Sequence, residues 1–426
     1  MAYDINELIV TNAETDAKIQ EGIEKNRKGN FTLKTSLKAG ETVKVKLKNH
    51  KFRFGCNMFL LDEIPDDKEK NERYKEKLKE LFNMATVPFY WEATEPEEGK
   101  TRYTKEAEKI YRRPPADLCV EFCEKIGIEP REHALCYERR FPRWLRGKSD
   151  EEIKAHLEKR MQEISSRYAD KIPTIEVTNE MFWRESVTDF YFSPDYMEWC
   201  YKKAEKYFPK NKLCINEAQE SIWDSAAGPW DNYYVLIENL LLKGCRIDAI
   251  GMQYHMFHRK ENYFNATRKY YSLPQLFKVL DNYARFEKPI QVTEVTIPAY
   301  TAEKADEENQ ADVIERLYSL WFSYPNMEQV IYWNLADGYA SAPTPGNMEE
   351  GENYYRGGLL RFDMSEKPAY KRLKHLIKEV WTTNETLSVN ENGEVSFRGF
   401  YGEYEVSAGG KTYTVNFDKD GKKVDL

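Results

Sequence analysis

Both ends of the chain contain alternating apolar and polar residues, the pattern of strands with one buried face. Residues 3–28 differ, because their apolar positions fall on one face of a helix. After them, residues 31–33 and 43–47 alternate on either side of an Ala39-Gly40 turn and predict a β-hairpin. Near the other end, glycines separate three more alternating stretches, residues 395–397, 404–406 and 413–417. Neither terminal piece can bury much surface alone, so we expect them to pair into a small β-sandwich.

Between these ends, short apolar strands alternate with longer helical segments. The predicted strands are residues 52–57, 83–91, 132–137, 174–180, 212–217, 247–255, 290–297 and 329–335. Eight strands, each followed by a helix, predict an α/β fold of the (β/α)8 TIM barrel type. A doubly wound open sheet is the competing architecture, but no glycine-rich phosphate loop follows the first strand.

The change of pattern along the chain predicts four segments. Residues 1–29 form an N-terminal helical segment, and residues 30–50 form the hairpin that pairs with the C-terminal strands. Residues 51–382 form the barrel, and residues 383–426 supply the remaining strands of the sandwich.

Charge and cysteine content narrow the possible partners and location. The net charge of −8 argues against nucleic acid or an anionic membrane as main partner, and no apolar run approaches a transmembrane length. No signal peptide is visible, and the seven cysteines, an odd number, include no Cys-x-x-Cys pair. A cytoplasmic protein with reduced cysteines is favoured, although a secreted protein that has lost its signal peptide would read the same. The oligomeric state is left open.

Two of the predicted strands contain a glutamate at or near their end. Residues 174–178 lead directly into Asn179 and Glu180, and Glu294 lies among β-branched residues. A carboxylate in a strand buried on both sides is costly unless it has a partner or a function. Salt-bridged strand ends are one explanation. The two glutamates together, with their polar neighbours, favour instead an acid/base and a nucleophile for glycoside cleavage.

The other strand ends supply polar and aromatic side chains. A parallel barrel places its chemistry at the carboxyl ends of its strands, where neighbouring side chains meet. The candidates for substrate contact are Tyr90, His133, Tyr137, Asn179, Gln253, His255 and Trp333. The histidines lack a partner at i+4 and no set of thiolates joins them, so neither a metal nor a cofactor is expected. A Ser-His-Asp triad is not supported, because no Gly-x-Ser-x-Gly elbow occurs.

From about residue 52 to residue 377 the motifs at these strand ends follow a known order. They are His133-Ala-Leu-Cys-Tyr137, Thr178-Asn179-Glu180, Gly251-Met-Gln253-Tyr-His255 and Thr293-Glu294-Val295. In these motifs and their spacing the chain resembles glycoside hydrolase family 10, the (β/α)8 endo-β-1,4-xylanase family that retains configuration. The resemblance implies that Glu180 is the acid/base, that Glu294 is the nucleophile and that His255 orients Glu294. It also implies a polysaccharide or oligosaccharide as the partner and no cofactor.

The chain departs from the family pattern around the sugar. Where the family has Glu-Asn-x-x-Lys, this sequence has Thr86-Val87-Pro88-Phe89-Tyr90, so the asparagine and lysine that hold the sugar are missing. Tyr137 stands where a tryptophan is usual, and a second covering tryptophan is absent near Ser341. Another lysine, such as Lys51, is the alternative source of the missing cation. The catalytic pair is retained, whereas the residues around the sugar are rebuilt.

The sequence therefore predicts a retaining glycoside hydrolase that cleaves a β-1,4-linked, xylan-type polysaccharide or oligosaccharide by double displacement. Ionised Glu294 attacks the anomeric carbon, and its charge favours keeping on Glu180 the proton for the leaving oxygen. Gln253 and His255 are expected to hold Glu294, and the two carboxyl groups to lie about 5–5.5 Å apart. The alternatives are a same-fold retaining β-glycosidase for a different or branched glycan, and a non-catalytic carbohydrate-binding barrel.

Overall fold

A computed structural model describes residues 5–223 and 228–426 of the chain. It begins with two helices, α1 (Ile5–Leu8) and α2 (Ala13–Arg27), where one helical segment was predicted over residues 3–28. Residues 3 and 4 of that prediction lie outside the described part. Asn12 separates the helices, since its side-chain oxygen accepts a hydrogen bond from the Thr15 backbone N–H and caps the second one.

The strands of the described part build three sheets. Along the chain they are β1 (Lys28–Lys34), β2 (Thr42–His50), β3 (Arg53–Asn57), β4 (Met84–Pro88), β5 (Glu129–His133), β6 (Thr174–Asn179), β7 (Lys212–Asn216), β8 (Ala249–His255), β9 (Ile290–Thr296), β10 (Met327–Tyr332), β11 (Asn384–Ser388), β12 (Glu394–Phe400), β13 (Gly402–Ala408), β14 (Lys411–Phe417) and β15 (Lys422–Asp425). Strands β3 to β10 close into one parallel barrel, and the others form two small sheets.

At least one helix follows each barrel strand, so the predicted (β/α)8 barrel is confirmed. These helices are α3 (Lys68–Leu81), α4 (Trp91–Thr94), α5 (Ala116–Ile126), α6 (Asp150–Tyr168), α7 (Tyr196–Tyr207), α8 (Asn232–Leu242), α9 (Tyr263–Thr267), α10 (Leu273–Ala284), α11 (Lys304–Ser323) and α12 (Pro368–His375). Every residue of β6, β8 and β9 is buried, because helices cover the outside of the barrel and side chains from the strands fill its inside. Within the described ranges, no helix combines the length and apolar character needed to cross a bilayer.

The third barrel strand lies earlier in the chain than predicted. We expected residues 132–137, but β5 ends at His133 and Tyr137 lies in the connection that follows. The chain leaves the regular ladder after His133, although the Leu135 N–H still donates to the Glu176 carbonyl oxygen at 2.9 Å. The apolar residues after His133 therefore fill the space above the strand instead of extending it.

The predicted hairpin of β1 and β2 is wrong. Strand β1 lies between β12 and β15, while β2 lies between β11 and β13 in the other small sheet. The two sheets pack face to face: the Phe31 ring stacks on Phe417 of β14 at 4.3 Å between centroids and meets Tyr404 of β13 edge-on at 6.3 Å. An alternating strand needs only one buried face, and a facing sheet satisfies that need as well as a hairpin partner. The predicted β-sandwich from both chain ends is confirmed.

The sandwich is attached to the barrel at the amino ends of the barrel strands. Trp381 stacks on Phe322 at 4.4 Å and on Phe54, near the start of β3, at 5.8 Å. A cavity of about 780 Å³ lies at this end. Charged residues along it form ion pairs, Arg53 with Glu129 at 2.8 Å and Lys212 with Glu328 at 2.6 Å. Both ion pairs join barrel strands, whereas Phe400 of β12 stacks on Phe322 at 6.0 Å and connects the sandwich to the barrel. The sandwich therefore lies at the end of the barrel opposite the strand ends that carry the candidate residues.

The aromatic centre of the sandwich yields a stability prediction. Phe31→Ala should lower the free energy of unfolding by about 3–5 kcal/mol, because it removes a buried ring and leaves a cavity. Thr32→Ala, whose hydroxyl contacts Ser396 on the outer face at 3.1 Å, is the matched control and should change it by less than about 1 kcal/mol. Urea unfolding followed by circular dichroism measures both, and equal effects would contradict the assignment of Phe31 to the core.

Candidate active site

All nine predicted site residues line one cavity of about 350 Å³ at the carboxyl ends of the barrel strands. They are Tyr90, His133, Tyr137, Asn179, Glu180, Gln253, His255, Glu294 and Trp333. The cavity receives no residue from the two small sheets. Their shared location supports a common site, while their individual roles remain predictions.

Glu180 lies directly after β6 in an unusual backbone conformation. Its φ is 52°, in the left-handed region that few residues other than glycine adopt. A bulge in β6 precedes it, because Glu176 pairs with Cys214 while Thr178 pairs with the next residue of β7. The Met181 N–H, which follows, donates to a Glu217 carboxyl oxygen at 2.7 Å. The bulge and this bond turn the chain so that the Glu180 carboxyl group enters the cavity.

The Glu180 carboxyl group is surrounded by hydrogen-bond donors. Its Oε2 accepts from the Tyr137 hydroxyl at 2.6 Å and from the Trp183 indole N–H at 2.9 Å. Its Oε1 accepts from the Gln253 amide at 3.1 Å, and the Arg139 guanidinium lies 3.6 Å from Oε2. Together these four contacts hold the Glu180 carboxyl group in one position at the cavity wall.

Glu294 is held more deeply. Its Oε1 accepts from the Asn216 amide at 3.1 Å, and its Oε2 lies 3.1 Å from His255 Nε2. His255 Nδ1 in turn lies 2.9 Å from the Thr296 hydroxyl, which fixes the ring. Burial lowers the pKa of His255 to about 4, so the imidazole is neutral and carries a proton on one of its two nitrogens.

Asn216, which was not among the predicted site residues, connects the two glutamates. Its amide nitrogen donates to Asn179 Oδ1 at 2.9 Å as well as to Glu294, and Asn179 Oδ1 also accepts from Gln253 at 3.1 Å. We expected Gln253 to hold Glu294, but its amide donates to Asn179 and Glu180 instead. The reason is that Asn216, at the end of the intervening strand β7, already fills the space beside Glu294.

The burial of the two carboxyl groups differs from what the sequence led us to expect. The Glu294 side chain is 4% exposed and that of Glu180 is 15% exposed. Burial, before any charged neighbour, raises the pKa of Glu294 to about 8. Near neutral pH, burial therefore favours the protonated form of Glu294 in the free protein, whereas we expected Glu294 to be ionised.

A second buried network supports Tyr90. The Tyr90 hydroxyl lies 3.0 Å from His133 Nε2, and His133 Nδ1 lies 2.8 Å from Glu176, which also forms an ion pair with Arg131. Oxygen and nitrogen atoms of His133, Glu176 and Glu294 lie close enough together to coordinate a metal ion. Both His133 nitrogens and the Glu176 carboxylate already have partners, and the Arg131 guanidinium supplies the positive charge. A cation would have to displace these bonds, so the donor set fits a hydrogen-bonded network better than a metal site.

Several cavity residues were not predicted. They are Phe59, Arg112, Arg113, Arg139, Arg140, Trp183, Gln219, Glu220, Phe257 and Glu352, together with Ala218. The sequence contains two Arg-Arg pairs, which were the only visible sign of these cavity residues. No local pattern in the sequence indicates that the pairs line the cavity. Lys51, the alternative cation, lies at the opposite end of the barrel and donates to the Asp418 carbonyl oxygen at 2.8 Å. Val87 is buried in β4 and is not among the residues that line the cavity.

A carboxyl pair joined by amides, within an aromatic cavity at the carboxyl end of a (β/α)8 barrel, places this chain in the class of barrel glycoside hydrolases. The sequence pattern described as "Glycosyl hydrolase family 10" matches residues 49–376. The chain therefore belongs to glycosyl hydrolase family 10.

Relatives and solved structures agree with this family. The chain is 24% identical over 398 residues to the anti-sigma-I factor RsgI6 of Acetivibrio thermocellus, with 88% of this chain and 44% of that protein covered. It is 26% identical to endo-1,4-beta-xylanase B of Thermotoga neapolitana, with 72% and 84% covered. Xylanase 10B from Thermotoga petrophila RKU-1, in complex with xylobiose, shares the fold at 22% identity and a TM-score of 0.59, with 78% and 95% covered. The chain thus spans less than half of the first relative and most of the second.

The burial of Glu294 predicts a pH-dependent stability difference. Between its ordinary pKa of 4.5 and about 8, the folded chain keeps a proton on Glu294 that the unfolded chain has released. The free energy of unfolding should therefore fall as pH rises through this window. Glu294→Gln, a neutral side chain of the same shape, removes this dependence and should gain on the order of a few kcal/mol relative to the parent by pH 8.

Urea unfolding of both proteins from pH 4 to pH 9 measures this difference. The comparison at pH 4, where Glu294 is protonated in the folded parent and in about three quarters of its unfolded molecules, shows mainly the effect of the amide itself. A difference that stays constant across the range would contradict a raised pKa of Glu294.

Proposed function

We propose that this chain is a retaining glycoside hydrolase that cleaves a β-1,4-linked, xylan-type polysaccharide or oligosaccharide. The observation that supports it most is the bridge of amides from Glu180 through Gln253, Asn179 and Asn216 to Glu294. Such a bridge fixes two carboxyl groups relative to each other and offers N–H groups to a sugar hydroxyl between them. A binding protein has no need to hold two carboxylates in this way.

The reaction proceeds in two displacements. Glu294 attacks the anomeric carbon and forms a covalent glycosyl intermediate, while Glu180 gives its proton to the leaving oxygen. Glu180, now ionised, then takes a proton from water, which attacks the intermediate from the side that the leaving group vacated. The separation of about 5–5.5 Å between the carboxyl groups, which this chemistry requires, remains a prediction.

The first displacement requires the carboxylate form of Glu294, although burial favours its protonated form in the free protein. Glu294 must therefore release its proton before it attacks. Positive charge that develops at the anomeric carbon in the transition state stabilises the Glu294 carboxylate beside it. The Tyr137 hydroxyl and the Trp183 indole N–H hold the carboxyl group of Glu180, the proposed acid, in place.

Replacing each of the two glutamates should reduce activity in a different way. Glu294→Ala should lower kcat by more than about 10⁴-fold on every substrate, because the nucleophile is lost. Glu180→Ala should lower kcat roughly 10²- to 10⁴-fold on natural glycosides, but little on aryl glycosides whose leaving groups need no proton. Added azide should speed the Glu180 variant, and proton NMR of the first product of the parent should show retained configuration.

Glu403→Ala, on the exposed side of the sandwich, is the matched control and should leave kcat unchanged. Equal losses for Glu180→Ala on good and poor leaving groups would contradict its role as acid. No hydrolysis by the parent chain, with sugar binding retained, would favour the alternative of a non-catalytic carbohydrate-binding barrel.

The rebuilt surroundings predict that linear xylan is not the preferred substrate. Val87 and Tyr90 replace polar residues of the family pattern, and each hydrogen bond left unmade lowers binding by roughly 1–3 kcal/mol. Ser341 lines the cavity where a covering tryptophan is missing, which leaves room for a branch. Values of kcat/KM on linear xylan, branched xylan and short oligosaccharides should favour a branched or short substrate. A preference for linear xylan would contradict this interpretation.

A further inference from the structure

Four arginines line the wall of the active-site cavity around Tyr90. Arg112 and Arg113 come from the segment before α5, and Arg139 and Arg140 come from the turn after β5. They gather in a chain whose net charge is −8. Glu180, Glu220, Glu294 and Glu352 line the same cavity, so the question for each arginine is whether a carboxylate or another group of the protein serves as its partner.

Two of the four arginines are occupied by the protein itself. Both terminal nitrogens of Arg112 lie 3.2 Å from Asn334 Oδ1, and one also donates to the Tyr339 carbonyl oxygen. The Arg139 guanidinium lies 3.7 Å from the centre of the Trp183 ring and contacts Glu180. These two arginines hold neighbouring loops and the candidate acid in place.

Arg113 has no comparable partner. Its guanidinium lies 4.3 Å from the centre of the Tyr90 ring and 5.3 Å from that of Phe59, and it donates to the Arg112 carbonyl oxygen at 2.8 Å. Among residues 5–223 and 228–426, no carboxylate lies within ion-pair distance of it. Burial lowers the pKa of Arg113 to about 10, which reflects the cost of a desolvated cation without a counter-ion.

Arg140 lies on the same tyrosine. Its guanidinium is 5.4 Å from the centre of the Tyr90 ring, and its ion pair with Glu92, at 3.1 Å, is partly exposed. The exposure of both partners makes this pair weak and open to exchange. Arg113 and Arg140 thus bring two guanidinium groups to the ring of one cavity residue, and guanidinium groups match carboxylates in geometry as well as charge.

We infer that Arg113 and Arg140 bind the carboxylate of an acidic sugar unit, a uronic acid carried by the substrate, beside Tyr90. This inference rests on the proposed function, because it treats the cavity as a glycan-binding site. The carboxylate supplies the counter-ion that Arg113 lacks and competes with Glu92 for Arg140. The room left near Ser341 allows such a unit to enter as a branch. A neutral sugar hydroxyl would make hydrogen bonds to Arg113 but would not neutralise it.

Binding measurements on an inactive variant test this inference. In the Glu294→Gln background, titration calorimetry compares linear xylotetraose with xylotetraose isomers that carry one glucuronic acid branch on different sugar units. At least one acidic isomer should bind about tenfold or more tightly than the linear compound, and added salt should reduce that preference. Equal or weaker binding of every acidic isomer would overturn the inference.

Further substitutions assign the preference to these residues. Arg113→Gln and Arg140→Gln should each weaken binding of the acidic isomer about 10- to 100-fold and reduce its advantage over the linear compound. Glu92→Gln should strengthen it, because the competing carboxylate is removed. Arg285→Gln is the matched control, since Arg285 lies 5.9 Å from the Tyr234 ring but away from the cavity. Equal weakening of both ligands by Arg113→Gln would show a role in binding neutral sugar and overturn the inference.

Two further measurements distinguish tighter binding of the acidic isomer from effects on folding and on hydrolysis. Arg113→Lys keeps the charge but not the planar fork, and it should keep part of the preference with an unchanged melting temperature. Hydrolysis by the parent chain is measured on the same oligosaccharides. A chain that binds the acidic isomer more tightly but cleaves neither would keep the carboxylate site and overturn the proposed hydrolase. Cleavage of the linear compound, without tighter binding of any acidic isomer, would support the proposed hydrolase and overturn the carboxylate site.

Discussion

The burial of carboxyl groups inside a closed parallel barrel is the constraint on which the site depends. Glu176 and Glu294 are both almost completely buried, yet their surroundings differ. Burial acts to raise the pKa of Glu176, but Arg131, His133 and their hydrogen bonds together outweigh burial and lower this pKa. Glu294 contacts only the neutral Asn216 amide and the neutral His255 ring, so burial prevails and raises its pKa to about 8. The surroundings of Glu176 therefore favour its charged form, whereas those of Glu294 favour its protonated form.

The same constraint explains how the site keeps its shape. Asn216 and Gln253 each donate to more than one acceptor, and the Thr293 hydroxyl donates to Asn216 Oδ1 at 2.6 Å. Gly251 makes this arrangement possible, since a β-carbon there would lie 2.7 Å from Asn216 Oδ1. Buried polar groups with few unused bonds have few alternative positions, so the carboxyl pair is positioned before any substrate arrives. The β-sandwich lies at the amino ends of the barrel strands and leaves the cavity at their carboxyl ends open.

Much of the architecture could be predicted from the sequence, because it depends on local patterns. Strands buried on both sides are visible as runs of β-branched residues, and their number and alternation with helices specify the barrel. Glu180 and Glu294 stand out because a carboxylate is unexpected in such strands. The carboxyl ends of parallel strands meet in space, so a list of strand ends is also a list of cavity residues. For that reason all nine predicted residues line the same cavity.

Only the tertiary structure decided which segments pair and how charges are surrounded. Strand β1 pairs with β12, more than 350 residues away along the chain, and alternation alone does not choose between that partner and β2. The pKa of Glu294 depends on burial by distant strands, and Asn216 on β7 gains its role from Asn179 on β6 and Glu294 on β9. Arg113 and Arg140 meet at Tyr90 because two separate connections fold over the same barrel opening. Local sequence encodes periodicity and conformation, whereas pairing, desolvation and the sum of charges depend on distances that only the folded chain defines.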